Sequence, residues 1–381
     1  MKVLLVAPRF YDAKFGEKRA VFSAYKTAHE LAKHVDVVVV TAGTPPRYEK
    51  VSDRLTIYRL WDLYLPDPVN LGIVPGIFTA LPSIIRRERP DMFLVNKHMF
   101  VTSLAAPLLK LMGKRVIIQT DTFVGINWFS RNPFVSLVMR LYAWTIGLLV
   151  LKSADRVVLL HEGLIPVARR LKLPYVVIHN GVDLAKFRKE KPAPDIKKKS
   201  GEVFVCFVGR LESAKGYDDL LAAAVSLAPA HPNVKFFFIG NTEGNESIVR
   251  KYTSDRIIFT GHRADIAAVL KRMDIFVLPS YTEGLPNALM EAMAAGLAPL
   301  SSRVGGAKVL IEERKNGLFF APGDREELQE KLTRLIQDKA LRRRLGIRAK
   351  ETITHSFNLN KEIMRLLKVL AGSEHGNRHS M

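Results

Sequence analysis

The chain holds a single cysteine, Cys206, among 381 residues. That scarcity excludes an internal disulfide and a cysteine-based metal centre, and it points to a reducing, cytoplasmic compartment. Other metal ligands are equally sparse. Only His375 and His379 have helical ligand spacing, in a terminal stretch expected to fray, and no Asp-x-Asp pair closes a strand to hold a divalent ion. The resulting expectation is chemistry with no metal and no cofactor. No basic-then-apolar leader precedes the first apolar run, Lys2–Ala7. Acidic residues are also short: 37 Asp and Glu stand against 58 Lys and Arg, a net charge of +21. Both halves share the excess, the first more densely. Such a balance suits nucleic acid, an anionic membrane surface or an acidic substrate. The scattered cations make no helix-turn-helix and no aromatic strand platform, which disfavours nucleic acid and makes peripheral contact with an anionic membrane the first choice.

An uninterrupted long apolar run is missing as well. The nearest approach is Phe134–Leu151, preceded by the aromatic stretch Phe123–Phe129. It contains Arg140 and lies at the lower limit for crossing a bilayer, where a central cation costs several kcal/mol, so a spanning helix is rejected. Two readings stay open: a buried helix of the first domain, or an interfacial helix beside bound lipid.

What is present is a repeated pattern. Lys2–Ala7 and Val203–Val208 are continuous apolar runs of the kind buried between two helix layers. Further strands are expected at Asp36–Thr41, Met92–Val95, Val116–Gln119, Arg156–Leu160, Tyr175–Ile178, Val234–Ile239, Ile257–Thr260 and Ile275–Leu278, with helical patterns between them. Length and alternation predict two doubly wound, Rossmann-like α/β domains. The boundary is placed near Asn180, giving domains 1–180 and 181–355, with 356–381 a last helix and a frayed tail. Lys186–Gly201, rich in lysine and proline, reads as a solvated loop opening the second domain.

Two carboxylates eight positions apart, Glu283 and Glu291, carry the most functional information. Pro279 stops the apolar run Ile275–Leu278, and Pro286 is expected at the first helical position, which puts Glu283 in a turn and Glu291 in a helix. About five helical residues at roughly 1.5 Å each separate them, too far to share a proton, so they read as two acceptors for one extended polar ligand. The unpaired N–H groups at that helix start suit a phosphate. Upstream, Arg210 and Lys215 leave the carboxyl end of a strand on a short loop, where ligands of open α/β sheets bind and where two cations can neutralise a diphosphate.

In order along the chain, Asn180-Gly181-Val182-Asp183, Gly209-Arg210, Lys215-Gly216, Gly261-His262, Asp274 to Ser280, the Glu283 to Glu291 segment, Gly305-Gly306 and Asn316-Gly317-Leu318 resemble the family-4 retaining glycosyltransferases of GT-B fold. The resemblance covers nearly all of residues 175–330 and only loosely the first half. It implies a central cleft between the domains, an acceptor-binding first domain, a nucleotide-sugar-binding second one and the return of the last helix, within 356–381, to the first domain. By the same resemblance Arg210 and Lys215 hold the diphosphate, Glu291 the ribose hydroxyls and Glu283 the sugar hydroxyls, with Gly284, Leu285 and Asn287 of the same turn in the donor site. The implied chemistry is front-face displacement, in which the leaving phosphate takes the acceptor proton and the protein positions and stabilises charge.

Two departures stand out. Where such enzymes usually carry a histidine after a first-domain strand, this chain reads Thr120-Asp121-Thr122. Asp121 is read either as an acceptor for a hydroxyl of the sugar or the acceptor substrate, or as a turn residue holding Thr122. His98 and His161, also after strands, are read as satisfied structural histidines. The first loop, Pro8 to Arg19, has one glycine where relatives often have two. Gly16 can still bring backbone near a phosphate or acceptor, but the loop is too poor in glycine for a dinucleotide fingerprint, which disfavours a nicotinamide dehydrogenase. The function read from the sequence is transfer of a sugar from a nucleotide diphosphate-sugar to a lipid-linked or saccharide acceptor, at the cytoplasmic face of a membrane. The rivals are a sugar-nucleotide epimerase of the same architecture and a non-enzymatic basic scaffold for anionic lipid or nucleic acid.

Overall fold

The computed structural model describes residues 1–9, 22–65, 71–99, 101–127, 129 and 133–373. The Gly16 loop, Trp128 and the histidines of the terminal stretch lie outside the described residues. The chain forms two compact units, Met1–Asn180 with Asn360–Met381, and Gly181–Leu359.

The first unit contains β1 (Lys2–Arg9), β2 (Asp36–Ala42), β3 (Arg47–Ser52), β4 (Leu55–Leu60), β5 (Leu63–Leu65) and β6 (Leu71–Ile73). It continues with β7 (Met92–Asn96), β8 (Val116–Thr120), β9 (Arg156–Leu159) and β10 (Tyr175–Val177). Eight of these make one sheet in the order β10-β9-β8-β7-β1-β2-β4-β3, parallel except for β3 against β4, while β5 and β6 pair by themselves. The central strand β1 is apolar from Val3 to Ala7 because both faces are covered, and these residues are fully buried.

The second unit contains β11 (Val203–Val208), β12 (Val234–Ile239), β13 (Ile257–Gly261), β14 (Ile275–Leu278), β15 (Ala298–Ser302) and β16 (Leu318–Phe320). They form an all-parallel sheet ordered β13-β12-β11-β14-β15-β16. Alternation along β11 sends Val203, Val205 and Phe207 into the core beneath helices Tyr217–Ala230 and Arg325–Gln337. Phe204 and Cys206 face the opposite core, with the helix Asn287–Ala295. Each unit is thus the doubly wound α/β layer structure expected from the sequence.

Three features correct the sequence reading. β3, β4, β5, β6, β15 and β16 were not anticipated. Ala298-Pro-Leu-Ser-Ser has little intrinsic strand character, yet β15 is fully buried because β14 and β16 bracket it. Lys186–Gly201 is no solvated loop: the helix Leu184–Lys189 enters it, and Phe187, Ala193 and Ile196 are buried. Ala193 N donates to Ala268 O at 3.0 Å, and Lys198 pairs with Asp274. The third correction concerns Pro133–Lys152, one continuous helix with a π turn at Ala143–Gly147. It is not a buried helix. Val135, Met139, Ala143, Val150 and Leu151 are buried, but Phe134, Leu137, Leu141, Trp144 and Leu149 are exposed, Phe134 by 73%. By length and composition alone this helix could cross a membrane.

The last helix, Leu359–Ala371, belongs to the first unit. Arg115 Nη1 donates to Leu370 O (2.8 Å), His179 N donates to the Glu362 carboxylate (2.9 Å), and Arg365 Nη2 donates to Val177 O (3.0 Å).

Candidate functional site

A doubly wound sheet opens a crevice where its strand order reverses, outside the carboxyl ends of the strands. In the second unit the reversal falls between β11 and β14. The loops leaving those two strands are the ones that carry Arg210, Lys215 and Glu283.

Their approach is set by backbone. After β11 the chain makes a 3₁₀ turn, Ser213–Lys215, and Gly216 takes φ 63° before the helix Tyr217–Ala230. A Cβ on Gly216 would lie 2.0 Å from the Pro279 carbonyl oxygen, so only glycine lets the two loops touch. That contact brings Lys215 Nζ to 2.8 Å from Glu283 Oε1. Ser280 Oγ donates to the same oxygen at 2.7 Å. Ser280 is itself fully buried, and its carbonyl accepts the Ser302 hydroxyl from the end of β15. On the other side Gly305, at φ 41°, has no room for a Cβ, which would sit 1.8 Å from Glu283 O. Gly306 N donates to Gly284 O at 2.7 Å. Main chain and carboxylate of Glu283 are therefore both held, and the Lys215 ammonium stands against it.

The remaining donor-site residues are placed less uniformly. Pro286 is the N-cap of the helix Asn287–Ala295, with ψ 105°, rather than its first residue. Asn287 and Glu291 lie one turn apart on one helix face, each half-buried. The Leu285 side chain is in the core, against the position where Gly306 lacks a Cβ, which leaves its main chain as the part a ligand can meet. Arg210 is half-exposed and its ion pair, at 2.5 Å, is with Glu212 on its own loop. Lys215 and Glu283 are thus brought together, while Arg210 points along the loop. Asp274, part of the recognisable pattern, accepts from Phe204 N at 2.6 Å and from Lys198, a latch within the sheet.

In the first unit the order reverses between β1 and β7. Asp121 follows β8 and pairs with Lys97, which follows β7. Burial opposes ionisation of Asp121, but the Lys97 ammonium and its hydrogen bond outweigh it and hold the carboxyl below its ordinary value. His98 and His161 are buried, and burial lowers the pKa of both, His98 to about 4. They are not fully satisfied: His98 Nε2 and His161 Nδ1 have no partner among the described residues. Among those residues no group of three or more His, Cys, Asp or Glu could hold a metal.

Sequence reasoning gave no role to Ser280, Ser302 or Lys97. The Ser-x-x-Glu spacing of Ser280 and Glu283 was a usable signal, since a serine three residues before a glutamate often fixes a turn at a helix entry. Nothing in sequence joins Ser302 or Lys97 to the residues they meet.

The family described as glycosyl transferases group 1 matches residues 188–352, and that described as glycosyltransferase family 4 matches residues 20–186. A galactosyltransferase of Escherichia coli, UDP-Gal:alpha-D-GlcNAc-diphosphoundecaprenol alpha-1,3-galactosyltransferase, is 27% identical over 80% of this chain and 84% of its own length. Sucrose-phosphate synthase from Thermosynechococcus elongatus superposes with a TM-score of 0.80 at 18% identity, covering 97% of this chain and 98% of that one. HepE of Anabaena, in complex with UDP-glucose, superposes with a TM-score of 0.73 at 16% identity over 98% of this chain and 100% of its own. These two likenesses are of fold. The two matched families together span both units, and with that fold beneath them the chain belongs to the family-4-type glycosyltransferases of GT-B fold, enzymes that transfer sugars.

Proposed function

We propose that the protein is a retaining glycosyltransferase that moves a sugar from a nucleoside diphosphate-sugar to a lipid-linked acceptor, without a metal ion, at the cytoplasmic face of a membrane. The observation that carries this reading is the Lys215–Glu283 pair at the strand-order reversal of the second unit, seated beside the start of the helix Asn287–Ala295. A diphosphate entering there competes with Glu283 for the Lys215 ammonium. The carboxylate released from Lys215 keeps its Ser280 hydrogen bond and is free to accept from sugar hydroxyls. As the glycosidic bond to phosphate breaks, Lys215 and the helix N–H groups stabilise charge gathering on the leaving oxygen. Glu291, on the same helix, is assigned to the ribose hydroxyls, and Asn287, Gly284 and the Leu285 main chain complete the turn around the donor. Asp121 is assigned to hydroxyl recognition in the first unit.

The acceptor reading draws on the exposed apolar face of Pro133–Lys152 and on the relative above, whose name specifies a diphosphoundecaprenol acceptor. Incubation with radiolabelled nucleoside diphosphate-sugars and a bacterial lipid extract, with and without excess EDTA, tests the proposal. Label should enter the lipid phase in both conditions, and the anomeric proton coupling of the product should match that of the donor. Free epimerised sugar nucleotide, inverted product, or loss of transfer in EDTA restored by Mg²⁺ or Mn²⁺ would each overturn the corresponding part.

A further inference from the structure

Lys97 is one of four non-glycine residues with a left-handed backbone among the described residues, at φ 70°. This conformation is costly for a lysine, and it turns the chain sharply at the end of β7. Lys97 N still donates to Gln119 O at 2.8 Å, while the side chain crosses to the Asp121 carboxylate at the end of β8. Both side chains keep some exposure, 16% for Lys97 and 20% for Asp121, so the pair is reachable from outside.

Two buried histidines at the same strand ends add unmet acceptors beside this pair. Thr120 Oγ1 donates to Thr122 O at 2.6 Å, so its proton is spent, and His98 Nδ1, 3.3 Å from that oxygen, must be the N–H donor. His98 Nε2 is then a bare acceptor. His161 Nε2 stands 3.0 Å from the Asp121 carbonyl oxygen and must donate, which leaves His161 Nδ1 a bare acceptor too. Both histidines are at least nine-tenths buried. Two acceptors and a carboxylate therefore stand with a single ammonium at these strand ends. Phosphate or carboxylate ligands, which bring only acceptors, do not fit such a site. A ligand rich in hydroxyl groups does, because each hydroxyl can donate to an acceptor and accept from Lys97.

We propose that Lys97 and Asp121, backed by His98 and His161, form a hydroxyl-reading sugar site in the first unit, with Lys97 a specificity-determining residue of the transfer reaction. The inference rests on the proposed glycosyl transfer. The shared chemistry is a hexose ring, which either the donor's sugar or a saccharide acceptor can supply. Lys97→Met with Asp121→Asn removes both charges at nearly constant shape. Donor affinity, donor hydrolysis without acceptor and acceptor KM are then measured beside the wild-type protein, with thermal unfolding as a control.

Affinity for the bare nucleoside diphosphate should stay within about twofold in either case. If the ring belongs to the donor, sugar-nucleotide affinity and donor hydrolysis fall at least about tenfold. If it belongs to the acceptor, donor hydrolysis stays within about twofold and acceptor KM rises at least about tenfold. A folded variant in which all of these remain within about twofold overturns the proposal. Should the double variant not fold, Lys97→Arg and Asp121→Glu keep the pair but shift its atoms, and unchanged kinetics in both overturn it equally. A wild-type protein that transfers no sugar removes the proposed function and this inference with it, whereas an active wild-type with indifferent variants removes this inference alone.

Discussion

Lys215 shows how a single side chain can be committed before any ligand arrives. It holds Glu283, and a diphosphate has to take it over. Lys215→Ala should lower kcat/KM by roughly ten- to a hundredfold, the worth of one charge-assisted contact of about 1.5–3 kcal/mol, as read by steady-state kinetics. Glu291→Gln should raise the donor's KM about tenfold and leave kcat nearly unchanged, because ribose contacts persist from ground to transition state. Normal donor affinity in that variant would remove the ribose assignment. His98 makes a different kind of prediction. Its pKa is about 4 in the folded protein, against roughly 6.5 in an unfolded chain. Between those values the unfolded chain binds the extra proton, so stability falls as pH drops from about 6.5 towards 4 and levels off below. The loss is on the order of 3 kcal/mol. Urea unfolding at pH 7 and pH 5 should show a drop that His98→Gln flattens; equal drops in both proteins would contradict it. At this scale Lys215 and Glu283 were legible in the sequence because each sits in a spaced motif. Ser302 and Lys97 were not, because their importance comes from partners that only the sheet order brings near.

At the scale of elements, legibility followed burial. Strands covered on both faces, such as β1 and β11, announce themselves as unbroken apolar runs, and their bounds were nearly right. β15 carries a proline and two serines and is a strand only because its neighbours make it one. The helix Pro133–Lys152 was misread for the opposite reason. It is apolar on nearly every side, so periodicity carries no mark of which side meets protein. Its exposed side presents Phe134, Leu137, Leu141 and Leu149, with Arg170 5.8 Å from the Trp144 ring and Arg140 4.8 Å from the Phe129 ring. Cations bordering an apolar strip suit an anionic bilayer. Leu137→Gln with Leu141→Gln should cut co-sedimentation with anionic vesicles at least tenfold while leaving thermal stability nearly unchanged, since each exposed leucine inserted is worth about 1.5–3 kcal/mol. The residual binding should weaken with salt, the Debye length being about 8 Å at physiological ionic strength. Vesicle binding equal in both proteins, or absent at every salt and lipid composition, would refute the assignment.

Over the whole molecule, composition and patterning revealed two α/β halves and a basic excess, and the family resemblance the return of the last helix, but how that helix packs needed the structure. The first unit closes only when Leu359–Ala371 joins it, placing Ile363, Leu366, Leu367, Val369 and Leu370 in buried positions. At about 1.5–3 kcal/mol each, those five side chains together rival the 5–15 kcal/mol that typically holds a domain folded. A fragment ending at Asn180 should therefore aggregate, and one joining residues 1–180 to 359–373 through a short linker should stay monomeric by size-exclusion chromatography. Equal behaviour of the two would show the helix to be dispensable. The second unit is, in chain order, an insertion inside the first. A graft of the second unit consequently needs two junctions, at 180/181 and 359/360, and recombination at a single crossover near the middle would pair each new half with a foreign closing helix.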